Sequence, residues 1–315
     1  MQELGAILVG ICLPIVAVAA VGWLIDRVFK IDLATLVKLN IYVFVPAFIF
    51  TRVVSSYVES ALAVKVVAFT LVMIAAMALL SWLAAKALRQ PPASRKAMQL
   101  STMFYNSGNY GIPLTTLAFP VMGPVLQAFV LMTMNISTFT IGLWLASSQN
   151  GSEGGVKGHM KQLLPVLRQP SIYAIMAAIL VRGLHLEDAV QSFTPAWKPL
   201  TYLADGLVGV ALLTLGVQLS KTKPPVIRGQ LGFALGIRLL GGPLVAVFLV
   251  RLFGFSGETA QILILGTTVP TAVNTALLAH EFGADQRFAA AAVFYSTLLS
   301  VITVTIVLFL LKAFY

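Results

Sequence analysis

Long apolar runs succeed one another along this chain at close to the length that carries an α-helix across a bilayer. That spacing constrains the fold more than any other feature. With about 20 apolar residues as the spanning unit, about ten segments can be marked. They lie near residues 4–25, 35–56, 62–87, 96–119, 123–147, 170–185, 197–219, 230–253, 257–281 and 285–312. Charged residues are only 10% of the 315, against 59% hydrophobic, too few to solvate a soluble domain of this size. In lipid every backbone N–H and C=O needs an internal partner, so only helices and closed barrels can span. The short alternating strands of a barrel are missing from the sequence. The expectation is an all-α membrane protein with about ten transmembrane helices.

The longest polar interruption, SSQNGSEGGVKGHMKQ, is rich in Gly and Ser and divides the chain into halves of similar length. Residues 1–147 form the first expected five-helix unit, 148–169 a linker and 170–315 the second unit. An odd number of spans per half makes the second half enter the membrane in the opposite sense, the pattern of an inverted repeat. The net charge of +10 sits mostly in short loops, where it reports orientation and not nucleic-acid binding. Fourteen Lys and Arg fall on the loop face that includes Arg27, Lys86, Lys157 and Lys221, and six on the opposite face. The richer face should be cytoplasmic, with the linker inside and both termini outside a cell membrane. The opening MQEL has no basic leader, so the first run is expected to be a retained helix. Cys12, the one cysteine, has no partner for an intrachain disulfide.

Two of the ten segments cannot be regular helices. Residues 104–120 read FYNSGNYGIPLTTLAFP, where two asparagines, two glycines and Pro113 interrupt a run of spanning length. Proline removes a donor and clashes with the preceding turn, and Gly108 and Gly111 weaken a helix. Residues 266–281, GTTVPTAVNTALLAHE, repeat the theme: at a constant offset of 161, Asn109 falls on Pro270 and Pro113 on Asn274. Each break therefore holds one Asn and one Pro four residues apart, in swapped order. Broken helices at mid-membrane depth are how many carriers build a substrate site. An amide supplies donors and an acceptor without net charge, and half-helix N-termini favour an anion. Asn106, Asn109 and Asn274 are the candidate ligands, and Pro113 and Pro270 shape the backbone around them. The plainer reading makes Asn106 a helix cap and Asn274 a partner for a freed carbonyl.

These motifs carry a resemblance. NSGNYGIP in the fourth segment, PTAVNTALLAHEFGAD through the ninth and STLLSVITV in the tenth resemble the auxin efflux carrier family, with further support from LNIYVFVPAFIF and RLLGGP. The likeness runs through nearly the whole chain and places it with the bile, arsenite and riboflavin type of transporter superfamily. It implies two inverted five-helix repeats whose fourth and ninth helices cross at mid-membrane, and an elevator-type carrier of small organic anions. Family members include plant auxin exporters and prokaryotic permeases for malonate or malate, and the compact central loop here is similar to the prokaryotic kind. The seventh segment departs from the pattern: GLVGVALLTLGVQL has no proline near Gly209 to match Pro46.

Other polar residues lie inside apolar runs. Asn135, mid-span in VLMTMNISTFTIG, would face the site by the family resemblance, or else bond between helices. Asn40, near a helix end, reads as structural. Asp205 and Arg238 are the clearest intramembrane ionisable residues, and such residues default to functional hypotheses. Asp205 could carry a coupling proton and Arg238 could attract substrate; the alternative is an ion pair between helices. The glycines of GFALG, with Gly241 and Gly242, read as a close-packing face.

An enzyme would need a nucleophile with a base, paired aspartates or a metal cluster. His159, His185 and His280 fall in loops or at segment ends and give no metal-ligand spacing. No catalytic residue, metal or cofactor is expected. A ligand-binding sensor or channel on the same framework is the competing class. The anion, the direction, proton or sodium coupling and a homodimer all stay open.

Overall fold

The computed structural model of the chain describes residues 2–142, 144–145, 169–222, 229–281 and 283–314. Among these residues the protein is helical throughout, with no strand beyond one isolated β-bridge. Seven helices among the described residues are long and apolar enough to cross a membrane: α1 (Gly5–Phe29), α2 (Leu33–Val54), α3 (Ser60–Ala87), α6 (Met122–Gly142), α9 (Thr194–Lys221), α10 (Gly229–Leu252) and α13 (Gln286–Phe314). A shorter apolar helix, α7 (Pro170–Gly183), follows the linker, and α8 (Glu187–Ser192) is a short turn of helix that the sequence reading did not anticipate.

The two interrupted segments are each split in two. The first consists of α4 (Pro92–Met103), an extended stretch, a π-helical turn Ser107–Gly111, and α5 (Ile112–Ala118). The second is α11 (Gly257–Gly266), a non-helical stretch, and α12 (Asn274–Glu281). Pro113 sits at the start of α5, where its missing N–H costs little. The linker expected at 148–169 lies almost wholly outside the described residues.

Packing divides the helices into two bundles. α1, α2, α7 and α9 form one, with α9 lying against both α1 and α2, and α7 against α2. α1 and α9 touch backbone to backbone: a Cβ on Gly216 would lie 1.9 Å from Ala19 O, and one on Gly22 2.3 Å from Leu213 O. Arg182 of α7 donates to the carbonyls of Val53, Ser56 and Val58, satisfying the open end of α2. The other bundle holds α3, both interrupted segments, α6, α10 and α13. Large apolar residues such as Leu24, Leu83, Phe248 and Ile302 point outward, the surface such helices turn to lipid.

One sequence expectation changes here and another gains a structural form. Gly232 and Gly236 of GFALG face open space, so that pair makes no close helix contact; Gly242 alone in the stretch is tightly packed. The missing proline near Gly209 has a structural counterpart. α2 contains a π-helical turn, Asn40–Phe44, just before Pro46, whereas α9 runs unbroken from Thr194 to Lys221.

Candidate functional site

The two breaks meet. Tyr105 and Thr271 form an antiparallel β-bridge, in which Asn106 N–H donates to Pro270 O at 2.8 Å and Ala272 N–H to Phe104 O at 3.0 Å. Thr271 Oγ1 donates to Ser101 O at 2.8 Å, and Thr271 N–H to Ser296 Oγ at 3.0 Å. Backbone groups freed by each break are thus satisfied by the other, as a non-helical stretch in lipid requires. Gln127 of α6 braces the first break by donating to Ser107 O at 2.9 Å, and its amide lies where a Cβ on Gly111 would fall.

A cavity of about 540 Å³ lies beside this crossing, between the two bundles. Four of the expected ligands line it: Asn106, Asn109, Asn135 and Asn274. Asn274 begins α12, and Ser107 begins the π-helical turn leading into α5, so two helix N-termini border the cavity. The first N–H groups of a helix have no intrahelical acceptor and carry partial positive charge. Asn106 both caps and lines: its Oδ1 accepts from Asn109 N–H at 3.1 Å, while its buried Nδ2 has no hydrogen-bond partner. Pro113 and Pro270 are buried and do not line the cavity.

Asn40, read from sequence as structural, also lines the cavity, and its Nδ2 donates to Asn109 Oδ1 at 2.7 Å. That bond spans the two bundles. It engages the Oδ1 of Asn109, the acceptor end of that amide. Gln218 of α9 and Lys38 of α2 also line the cavity, with Ser107, Thr138, Gln169 and Ser171, and among the described residues Lys38 is the one charged side chain in the lining. Sequence reasoning missed Gln218 and Lys38 because both lie near span ends, where polar residues are ordinary.

The ionisable candidates lie elsewhere. Asp205 pairs with Arg52 at 2.6 Å, its side chain 65% exposed, and does not line the cavity. Arg238 is 1% exposed and packs on the crossing from the side of α10. It donates to Thr102 O at 2.8 Å and to Thr267 O, and stacks over the Tyr105 ring at 4.9 Å. The arrangement presents neutral amide donors and helix N-termini to a cavity with a lysine on its wall, a surface suited to a small anion. Among the described residues no cluster could hold a metal ion.

Comparison with known proteins finds transporters among the relatives of this chain. A family model described as a membrane transport protein matches residues 155–308, which include the second break and Arg238. A protein of Rhizobium meliloti (strain 1021) named "Putative malonate transporter" is 25% identical over 232 residues, covering 72% of this chain and 70% of that protein. The "Uncharacterized transporter YfdV" of Escherichia coli (strain K12) is 24% identical over 199 residues, 59% of this chain and 61% of its own length. An uncharacterized transporter of Methanothermobacter thermautotrophicus is 24% identical over 206 residues, 65% of each chain. The match thus spans less than two thirds of these last two relatives.

Proposed function

We propose that the chain is a membrane transport protein, like the family whose model matches its second half, and that it is a secondary carrier for a small organic anion. The observation that carries this reading is the meeting of two broken helices, whose amides and N-termini border a cavity between two bundles. A carboxylate is held by Asn109 and Asn274, with Asn106 and the first backbone N–H groups of the half-helices completing its shell. Asn135 closes the wall from α6. The two halves of the chain are inverted repeats, and alternating access comes from the bundle with the crossing moving as a body against α1, α2, α7 and α9. Malonate, named for one relative, is the first candidate substrate, with other small mono- and dicarboxylates beside it.

In this reading both termini lie outside and the linker lies inside, by the distribution of basic loops. Asp205 ties α2 to α9 through Arg52 and carries no coupling proton. Asp205→Asn should therefore keep the parent response to an imposed pH gradient; loss of that response would return Asp205 to the coupling path.

The test of the function is a panel of radiolabelled mono- and dicarboxylates in proteoliposomes, with and without proton or sodium gradients. A carrier shows saturable uptake and counterflow of one panel member. Flux without saturation or counterflow indicates a channel, and binding without flux a sensor; either result overturns the proposal.

A further inference from the structure

Arg238 presents a puzzle that the site itself does not use. Its side chain is buried and does not line the cavity, and no carboxylate pairs with it among the described residues. A lone buried cation is costly unless something compensates it. The compensation here is made of backbone. Thr102 lies in the last turn of α4, and Thr267 is the residue that ends α11, so Arg238 donates to the carbonyl end of each leading half-helix. Each such end carries roughly half a negative charge. Two of them converging on one guanidinium come close to neutrality.

We propose that Arg238 is a positioning residue, the fixed countercharge of the crossing, which holds the two carbonyl ends together so that the opposite, positive ends act on an anion unopposed. Three contacts define the clasp. The guanidinium bonds one carbonyl of each break, and it stacks on Tyr105, whose backbone makes the bridge to Thr271. Gly242, one turn further along α10, leaves it room: a Cβ there would lie 2.6 Å from Arg238 Nη2 and 3.0 Å from Thr267 O. The clasp belongs to α10, in the same bundle as both breaks. It therefore travels with the crossing and keeps the local charge constant through the cycle. This rests on reading the crossing as the anion site.

The experiment compares the parent with Arg238→Lys, Arg238→Met and Gly242→Ala in detergent, reading both thermal unfolding and the affinity for malonate by isothermal titration. Replacing a buried ion pair with apolar groups of similar size is often neutral or stabilising. Here Arg238→Met leaves two buried carbonyls without donors and their negative ends unbalanced, so it should melt below Arg238→Lys. It should also bind malonate about ten-fold more weakly than the parent, the scale of an uncompensated helix end, with Arg238→Lys recovering most of that loss. Gly242→Ala, which pushes the guanidinium off its carbonyls, should melt below the parent and bind more weakly. A methionine variant that melts and binds as the parent does overturns the proposal. So do equal losses in the lysine and methionine variants, which would make the role one of shape. If neither Arg238 variant folds, Gly242→Ala decides alone, and parent-like behaviour there sinks the clasp. If the parent binds neither malonate nor any other panel carboxylate, the reading of the site fails instead, and the order of melting temperatures still judges Arg238.

Discussion

In the proposed site Asn109 offers its N–H2 to the anion, because Asn40, on the opposite bundle, already holds the other end of the amide. Losing a hydrogen bond to a charged group costs about 1.5–3 kcal/mol. Asn109→Ala and Asn274→Ala should therefore remain folded and bind the substrate roughly ten- to hundred-fold more weakly by isothermal titration. Asn40→Ala should weaken binding by less, since it only frees the Asn109 amide to rotate. The two changes should not add: once Asn109 is alanine, removing Asn40 has little left to disturb. Additive losses in the double variant would mean that Asn40 contacts the ligand directly. The asparagines at 106, 109, 135 and 274 were legible in the sequence because an amide in the middle of an apolar span is costly and so conspicuous. Asn40, Lys38 and Gln218 were not, because polar residues near span ends carry no such signal. Arg238 was conspicuous too, but its partners are carbonyls, and a sequence cannot say which carbonyls a fold leaves open.

At the scale of elements, the breaks were readable because Pro and Gly state their backbone consequences directly. What they could not reveal was that the two stretches would satisfy each other through a β-bridge, since that depends on approach in space. The π-helical turn at Asn40–Phe44 was equally silent. Pro113→Ala and Pro270→Ala should slow transport more than they weaken binding, because neither ring lines the cavity while both shape the chain beside it. Equal losses in rate and affinity would place them in the site. The glycine reading failed at GFALG for a related reason: small residues permit close approach but do not choose the neighbour, and the tight contact formed instead between α1 and α9. Gly216→Ala puts a methyl against Ala19 O and should destabilise the protein by about 1–3 kcal/mol, read as a lower melting temperature. Parent-like melting would mean that α1 and α9 are less tightly joined than the backbone contact indicates.

For the whole molecule, orientation and movement each give a direct test. Tyr57 precedes α3 and Lys86 lies in its last turn, at opposite ends of that span. In a Cys12→Ala background, Tyr57→Cys should react with an impermeant thiol reagent in intact cells and Lys86→Cys should not; the reverse pattern would invert the topology. Movement of one bundle against the other is the central claim, and the protein carries a natural place to arrest it. Cys12 Sγ of α1 lies 3.2 Å from Thr305 Oγ1 of α13, a contact between the two bundles. Thr305→Cys would place two sulfurs within bonding reach, and a disulfide there ties the bundles together. The decisive measurement is uptake of the identified anion by Thr305→Cys proteoliposomes, oxidised and then reduced. Oxidation should stop uptake and reduction should restore it, while the oxidised protein still binds the anion. Undiminished uptake by fully cross-linked protein would contradict movement of the bundles.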